Sequence, residues 1–179
     1  IKLVAQAKKL NNGEVAAYVL PQFVKHDDPL SFVKNEYNGV VIESGFADKQ
    51  FFYGKGAGSF PTASAVLSDI AALRYHYRYE YKKLYHHRPH VLANDYYLKV
   101  YVSFDDWKFI PRDKFEWIEE WHAEAERKYL IGVLHCRHLT GSSWWKENNS
   151  SLTLTPDPLI DNLDIIKLKK RSLELAGVV

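Results

Sequence analysis

Apolar and polar positions alternate through the first part of the chain and predict short β-strands joined by tight turns. Bulky and β-branched residues at every second position are typical of half-buried strands, and Asn12-Gly13 is a strong turn signal between two of them. Strands are predicted over residues 1–7, 15–24, 37–43 and 50–54. Because consecutive strands joined by short turns pair side by side, we expect a mostly antiparallel sheet.

A helical pattern replaces this alternation after Pro61. Apolar residues then recur three or four positions apart, at Ala63, Val66, Ile70, Leu73 and Tyr77. Proline suits the first turn of a helix, and the hydroxyl side chains beside it suit a helix cap. We therefore expect an α+β fold in which this long helix covers one face of the antiparallel sheet.

A second, smaller domain with the element order βαββ is predicted for residues 95–179, after a linker at residues 86–94. Its alternating segments predict strands, and its helical spacing predicts one internal and one terminal helix. The predicted strands are residues 96–104, 129–139 and 151–155, and the predicted helices are residues 113–127 and 165–176. The last strand is expected to stop at Pro156, since proline interrupts strand pairing.

A cluster of glycines separates the fourth predicted strand from the first helix, in the order FFYGKGAGSFPT over residues 51–62. Because Gly54, Gly56 and Gly58 have no Cβ, a ligand could approach the backbone closely there, and a positive φ costs little. Free N–H groups at a helix start suit a phosphate, a carboxylate or a flat cofactor ring. The simpler alternative is a tight turn with a close helix contact, because a short glycine cluster alone is a weak signal.

Residues 52–70 resemble the FYGxGAGxxPTASAVxxD segment of homoserine dehydrogenases. The segments IKLVA at residues 1–5, DPLS at residues 28–31 and YNGVV at residues 37–41 resemble further parts of that family, in the same order and at similar spacing. The resemblance covers residues 1–75 and fades beyond them. It implies an NAD(P)-dependent oxidoreductase that interconverts L-homoserine and L-aspartate 4-semialdehyde in threonine and methionine biosynthesis.

The same resemblance implies roles for particular residues. Residues 1–85 would be the later half of the family's substrate-binding and dimerisation domain, so a homodimer or a homotetramer is expected. Gly56, Ala57 and Gly58 would bind the cofactor by lying against the nicotinamide end of NAD or NADP. The family's catalytic aspartate and lysine precede the IKLL segment, so no catalytic residue is expected in this chain and Lys2 is not the catalytic lysine. We expect the chain to be inactive on its own.

The second predicted domain is similar to an ACT regulatory domain, which in this family senses an end-product amino acid such as threonine. The ACT loop after the first strand normally reads D-x-P-G-x-L, whereas this chain has Asp105-Asp106-Trp107-Lys108-Phe109 and no glycine. A divergent docking domain is therefore an equal alternative. A second hypothesis for the whole chain is a non-catalytic module for amino-acid sensing or oligomerisation.

Composition limits the remaining function classes. A net charge of +2 over 179 residues gives no strong attraction to nucleic acid or to a membrane, although basic residues and tyrosines alternate over residues 74–88 as in some single-strand-binding surfaces. A single cysteine forms no internal disulfide and fits a reducing cytosol. The first residues lie inside a patterned element, so we expect a piece of a longer cytoplasmic protein.

Potential metal ligands cluster at two places, and neither predicts a metal site. His26, Asp27 and Asp28 are typical of a turn and cap before a proline. In a strand over residues 129–139, only Cys136 and His138 of the nearby ligands would face the same side. Structural zinc takes four ligands, so this pair is insufficient.

Overall fold

A computed structural model of the chain describes residues 1–77, 89–124, 128–141 and 143–175. Within these residues it has eight β-strands and three α-helices. The strands are Lys2–Lys9 (β1), Val15–Gln22 (β2), Tyr37–Ser44 (β3), Asp48–Lys55 (β4), Tyr96–Ser103 (β5), Phe115–His122 (β6), Tyr129–His135 (β7) and Ser151–Asp161 (β8). The helices are Ser59–Arg74 (α1), Arg137–Thr140 (α2) and Asn162–Leu175 (α3).

Six of the strands form one sheet in the order β1-β2-β8-β5-β7-β6, and β3 and β4 form a separate hairpin. Every pairing is antiparallel except that of β2 with β8, which is parallel and aligns Gln22 with Leu154. The fold is thus a mixture of helices and strands with a mostly antiparallel sheet. This part of the prediction is confirmed.

The hydrophobic core lies against one face of β5, near the middle of the sheet. Buried and half-buried residues alternate along this strand, as expected when only one face of a strand packs inward. Its buried residues pack with buried leucines of the neighbouring strands. The residues concerned are Tyr96, Leu98, Val100 and Val102 of β5, Leu130 and Leu134 of β7, and Leu152 and Leu154 of β8.

The four strands predicted in the first part of the chain are confirmed as β1 to β4, and the predicted long helix is confirmed as α1. The packing predicted for that helix is not observed, because none of its residues is buried. Residues 78–88, which include most of the segment of alternating tyrosines and basic residues, lie outside the described part of the chain.

The predicted helix at residues 113–127 is wrong. A 3₁₀ turn at Arg112–Lys114 leads instead into β6, which is one of the two outer strands of the sheet. The pairing of β6 with β7 shifts register at two places. Such bulges insert residues into a strand and break strict alternation, so the apolar residues of β6 fall at a spacing that imitates a helix. Residues 125–127 lie outside the described part.

The last strand is longer than predicted, because β8 continues through both Pro156 and Pro158 to Asp161. Residues 155–158 lie between the partners of Leu98 and Val100, where the pairing with β5 shifts register. Proline is tolerated at such a bulge because its missing N–H is not needed for the ladder there. The strand predicted over residues 129–139 ends earlier, at His135, where the chain turns into α2.

The chain groups into two compact units, one formed by Ile1–Val24 with His90–Val179 and the other by Lys25–Pro89. This grouping differs from the linear division expected from the sequence, in which residues 1–85 stay together. The difference arises because β2 pairs with β8, and because Val15 exchanges backbone hydrogen bonds of 2.9 Å with Val91 and Ala93 of the expected linker. The assignment of residues 1–85 and 95–179 to particular domain families stays a prediction.

We predict that Leu98→Ala lowers the free energy of unfolding of the sheet unit by about 2–5 kcal/mol, because it opens a cavity in the core. Leu98 is 1% exposed, whereas Leu3 on the outer strand β1 is 74% exposed. The control Leu3→Ala should therefore change the stability by less than about 0.5 kcal/mol. Urea unfolding followed by tryptophan fluorescence measures both, since all 5 tryptophans lie between residues 107 and 145 of this unit. Equal losses of unfolding free energy in the two variants would contradict the described core.

Candidate functional site

The glycine segment connects β4 to α1 as the sequence predicts. β4 ends at Lys55, residues 56–58 form the turn, and α1 begins at Ser59. Gly58 has φ 114° and ψ 161°, a conformation that side chains other than glycine rarely adopt. No side chain caps the helix, although the backbone N–H and the hydroxyl of Thr62 both donate to the carbonyl of Gly58, at 3.2 and 2.8 Å. The first turn of α1 therefore starts from an exposed glycine.

The three glycines of this segment differ in what a side chain at each position would contact. A Cβ placed on Gly56 would lie 1.8 Å from Nδ2 of Asn38, whereas a Cβ on Gly58 would meet only Pro61, at 3.6 Å. A Cβ on Gly54 would have nothing within 4 Å. A tight turn would thus account for the glycine at position 58, which has a positive φ, and for the glycine at position 56, where a Cβ would collide with Asn38. It does not explain Gly54, which faces open space.

Asn38 is the residue of this site whose contact with Gly56 the sequence does not reveal. It lies on β3 directly across from Gly54 of β4, and its side chain fills the position that a Cβ of Gly56 would need. The contact follows from the register of the hairpin. A sequence pattern gives the strands but not their exact register, so the pairing of Asn38 with the glycine segment needed the structure.

The two faces of the β3–β4 hairpin differ. One face is closed by the 3₁₀ turn Pro29–Phe32, so that a Cβ on Gly39 would lie 2.6 Å from Val33 and 2.9 Å from Phe51. The other face carries Asn38 and Gly54 together with exposed apolar residues. These are Val40, Ile42 and Phe52. The open position at Gly54 therefore belongs to an apolar face that is exposed to solvent in this chain.

The charged residue inside the glycine segment, Lys55, is already paired. The ammonium group of Lys55 lies 2.9 Å from the carboxylate of Glu36 and 5.3 Å from the centre of the Tyr37 ring. The hydrogen bond from Lys55 lowers the pKa of Glu36, helped by a backbone hydrogen bond to the same carboxylate. Lys55 therefore brings no unpaired positive charge to this loop.

The residues around His26 form a turn, in agreement with their predicted role. Asp28 accepts a hydrogen bond of 2.8 Å from the backbone N–H of Leu30 and so caps the 3₁₀ turn that starts at Pro29. Its other oxygen lies 3.9 Å from Lys49. In the part of the chain that the structure describes, no group of three or more histidine, cysteine or acidic side chains is arranged to hold a metal ion.

His135 and Cys136 contact each other because β7 ends between them, which corrects the prediction that they face opposite sides of one strand. Nδ1 of His135 lies 3.8 Å from the sulfur of Cys136, and Nε2 lies 3.0 Å from a carboxylate oxygen of Asp95. This connectivity resembles a nucleophile, base and orienting acid. However, the thiol is buried and donates to the carbonyl of Asn94 at 3.3 Å. Burial raises the pKa of Cys136, so the group favours the unreactive thiol.

The first part of the chain is similar to one family of known proteins. The homoserine dehydrogenase family model matches residues 1–71. The chain is 40% identical over 74 residues to the homoserine dehydrogenases of Corynebacterium glutamicum and Mycobacterium tuberculosis, and 37% identical over 73 residues to that of Bacillus subtilis. The similarity to homoserine dehydrogenases therefore extends over residues 1–71 of this chain.

The match covers only part of either protein. It includes 39% of this chain and 17% of the length of the Corynebacterium glutamicum relative. Among solved structures, the homoserine dehydrogenase of Thiobacillus denitrificans is 23% identical with a TM-score of 0.49, over 75% of this chain and 35% of that chain. The homoserine dehydrogenase of S. aureus, in its crystal structure at pH 6.5, is 19% identical with a TM-score of 0.47, over 87% of this chain and 41% of that chain. In the described residues, no helix is both long and apolar enough to cross a membrane.

We predict that Gly56→Ala destabilises the β3–β4 hairpin by about 1 kcal/mol, because the new methyl group displaces Asn38. Gly54→Ala is the matched control and should have little effect, since its methyl group would enter open space. Amide hydrogen exchange along β3 and β4 measures this local stability. In the double variant, Asn38→Ala should remove most of the loss of stability that Gly56→Ala causes. If Gly56→Ala destabilises the hairpin equally in the absence of the Asn38 side chain, the contact between the two residues is contradicted.

The ion pair beside the loop gives a pH-dependent prediction. Because the folded-state pKa of Glu36 is lowered, the pair stabilises the fold above the unfolded carboxyl pKa of about 4.3, and this contribution is lost as the pH falls through the folded pKa. Carboxyl-carbon NMR titration should show the lowered pKa and its rise in Lys55→Met. Lys49→Met, which removes the partner of Asp28 instead, should leave the titration of Glu36 unchanged. An unchanged Glu36 pKa in Lys55→Met would show that the pair does not form.

Proposed function

We propose that residues 1–71 are part of a homoserine dehydrogenase that interconverts L-homoserine and L-aspartate 4-semialdehyde with NAD or NADP, in the pathway to threonine and methionine. The family match covers these residues. The observation that carries the proposal is the turn at residues 56–58, an exposed glycine segment between a strand and a helix inside the matched region. Residues 52–70 resemble a glycine-containing segment of the family, so a segment of the same kind is expected in its other members.

In this proposal the backbone of Gly56, Ala57 and Gly58 lies against the nicotinamide end of the cofactor. The open position at Gly54 and the lack of a side-chain cap on α1 support a close approach of a flat ring. The bound cofactor would supply the hydride acceptor or donor. This chain would supply the position of that ring and would exclude water from one side of it, and we assign no proton transfer to its residues.

The exposed apolar face of the hairpin supports a further part of the proposal, that the active protein is a homodimer or a larger assembly in the cytoplasm. Val40, Ile42 and Phe52 are each about half exposed, at 55%, 47% and 54%. A contiguous set of bulky apolar side chains on a protein surface marks a contact with other protein more often than a solvated face. The chain alone would then lack the partner surface that covers this face.

We propose that residues 95–179 form an ACT-like or docking domain. The strand order β8-β5-β7-β6, all antiparallel, supports this, because it is the order of a βαββαβ split arrangement. The connections differ, since 3₁₀ turns and the four-residue α2 stand where two helices are usual. This arrangement also favours the second candidate function, a non-catalytic sensing or oligomerisation module.

A chimera tests the proposed function. Residues 1–71 of this chain replace the matching segment of the Corynebacterium glutamicum homoserine dehydrogenase, and homoserine-dependent reduction of NAD⁺ or NADP⁺ is measured. We expect activity within about tenfold of the parent, which corresponds to about 1.4 kcal/mol of transition-state stabilisation. A chimera that folds and assembles like the parent but shows no reduction would contradict the proposal and leave the sensing or assembly module as the function.

A pair of glycine variants in the active chimera locates the cofactor contact. Gly58→Val should raise the KM for the cofactor at least about tenfold, because it disturbs both the positive φ and the approach to the backbone. Gly45→Val is the control, since Gly45 lies in the β3–β4 turn and a Cβ there meets nothing within 4 Å. Equal cofactor KM values in the two variants would remove residues 56–58 from the proposed site.

A further inference from the structure

The chain contains two Asn-Gly pairs, Asn12-Gly13 and Asn38-Gly39, and the fold places them in different surroundings. A glycine after an asparagine leaves its backbone nitrogen unshielded by a side chain, so that this nitrogen can attack the asparagine side-chain amide. Asn12 lies in the turn between β1 and β2, whereas Asn38 lies inside β3. The local sequence gives both pairs the same chemistry, so a difference in their reactivity has to come from the structure.

The side chain of Asn12 is folded forward over the peptide of Gly13. Its Oδ1 accepts a hydrogen bond of 3.0 Å from the N–H of Glu14, two residues along the chain, which is an Asx-turn. This hydrogen bond directs the side-chain amide carbon toward the intervening nitrogen of Gly13 and makes that carbon more electrophilic. Asn12 and Gly13 are both exposed, and a Cβ on Gly13 would meet only Lys9, at 4.0 Å. The nucleophile, the amide and solvent therefore meet at this turn.

One hydrogen bond opposes the attack. The N–H of Gly13 donates to the carbonyl of Leu10 at 2.9 Å, and this bond has to open before the nitrogen can react. It belongs to an exposed turn rather than to a strand ladder. Hydrogen bonds in exposed turns open at a lower free energy than those of core strands, so this bond slows the reaction without preventing it.

Asn38 is held away from the same reaction. Its backbone pairs with Gly54 across the β3–β4 hairpin, and its Nδ2 lies 1.8 Å from the position that a Cβ of Gly56 would take. The following glycine is enclosed as well, since a Cβ on Gly39 would lie 2.6 Å from Val33. Ring closure would require the asparagine to leave both its extended backbone conformation and this packing. The hairpin therefore protects Asn38.

We propose that Asn12 is a site of spontaneous deamidation in the folded protein. The backbone nitrogen of Gly13 loses its proton and attacks Cγ of Asn12, the bond from Cγ to Nδ2 breaks, and the side-chain nitrogen leaves with the proton as ammonia. Water then opens the resulting cyclic imide at either of its carbonyls and leaves aspartate or isoaspartate at position 12. The net reaction consumes one water, releases one ammonia and needs no other reactant.

The modification would weaken the contact between this turn and the end of β8. The imide removes the N–H that Gly13 donates to Leu10, and isoaspartate adds a carbon to the backbone of the turn. The new carboxylate would also lie next in sequence to Asn11, whose N–H donates to the carboxylate of Asp161 at 2.8 Å. Because two like charges placed close together repel each other, we expect the hydrogen bond from Asn11 to Asp161 to open more often after deamidation.

The first test compares the two sites in one sample. The whole chain is kept folded at mildly alkaline pH, and the peptides that contain Asn12 and Asn38 are followed by mass spectrometry. We expect deamidation at Asn12 to be at least about tenfold faster than at Asn38, because β3 has to open before Asn38 can react. In concentrated urea the two rates should converge. Equal rates in the folded chain, or a difference that persists unchanged in urea, would overturn the proposal.

The second test measures the consequence for the turn. The chain and the variant Asn12→Gln, whose longer side chain closes a ring far more slowly, are aged for the same time. Amide hydrogen exchange at Asn11 is then compared with that of fresh samples. We expect exchange to become at least about threefold faster in the aged chain and to stay unchanged in Asn12→Gln. Unchanged exchange in a chain that is deamidated at Asn12, or equal acceleration in the variant, would overturn the proposed effect. Neither test measures dehydrogenase activity, so both are independent of the proposed function.

Discussion

The parallel contact between β2 and β8 determines how the rest of the chain is organised. Gln22 aligns with Leu154, and the N–H of Phe23 donates to the carbonyl of Leu154 at 2.9 Å. A short parallel pairing is weak by itself, but here the edge-to-face contact of Phe23 with Tyr101 and the hydrogen bond from Asn11 to Asp161 add to it. Because of these contacts, the start of the chain shares a core with its last third.

This contact divides the segment that matches the family. Residues 1–24 belong to the sheet unit, whereas residues 25–71, with the hairpin, the glycine turn and α1, belong to the other unit. None of the described residues of the second unit is buried, and a 3₁₀ turn covers one face of its hairpin. A unit with so small an interior gains little stability from its own hydrophobic burial.

The sequence predicted those features that depend on neighbouring residues. Alternation located β1 to β4, helical spacing located α1, and Gly58 has the positive φ that suits its place before a helix. Features that depend on distant residues were missed. The bulges of β6 give its apolar residues a helical spacing, so the strand was predicted as a helix. Strand β8 continues through two prolines because its pairing with β5 has a bulge there. The contact of Asn38 with Gly56 depends on the register of the hairpin. Each miss is a case in which tertiary pairing overrides a local pattern.

Helix α1 shows why the proposed site needs further protein around it. At 100° per residue, its bulky side chains lie on one side, at Phe60, Val66, Leu67, Ile70 and Leu73, all more than half exposed. Small residues, Ser64, Ser68 and Ala72, lie on the other side, and they would allow another backbone to approach closely. A helix that is apolar or small on both sides is typical of a protein interior rather than a surface. In the proposed dehydrogenase, covering α1 would also enclose the glycine turn that begins it, so burial of the helix and formation of the cofactor site would be one event.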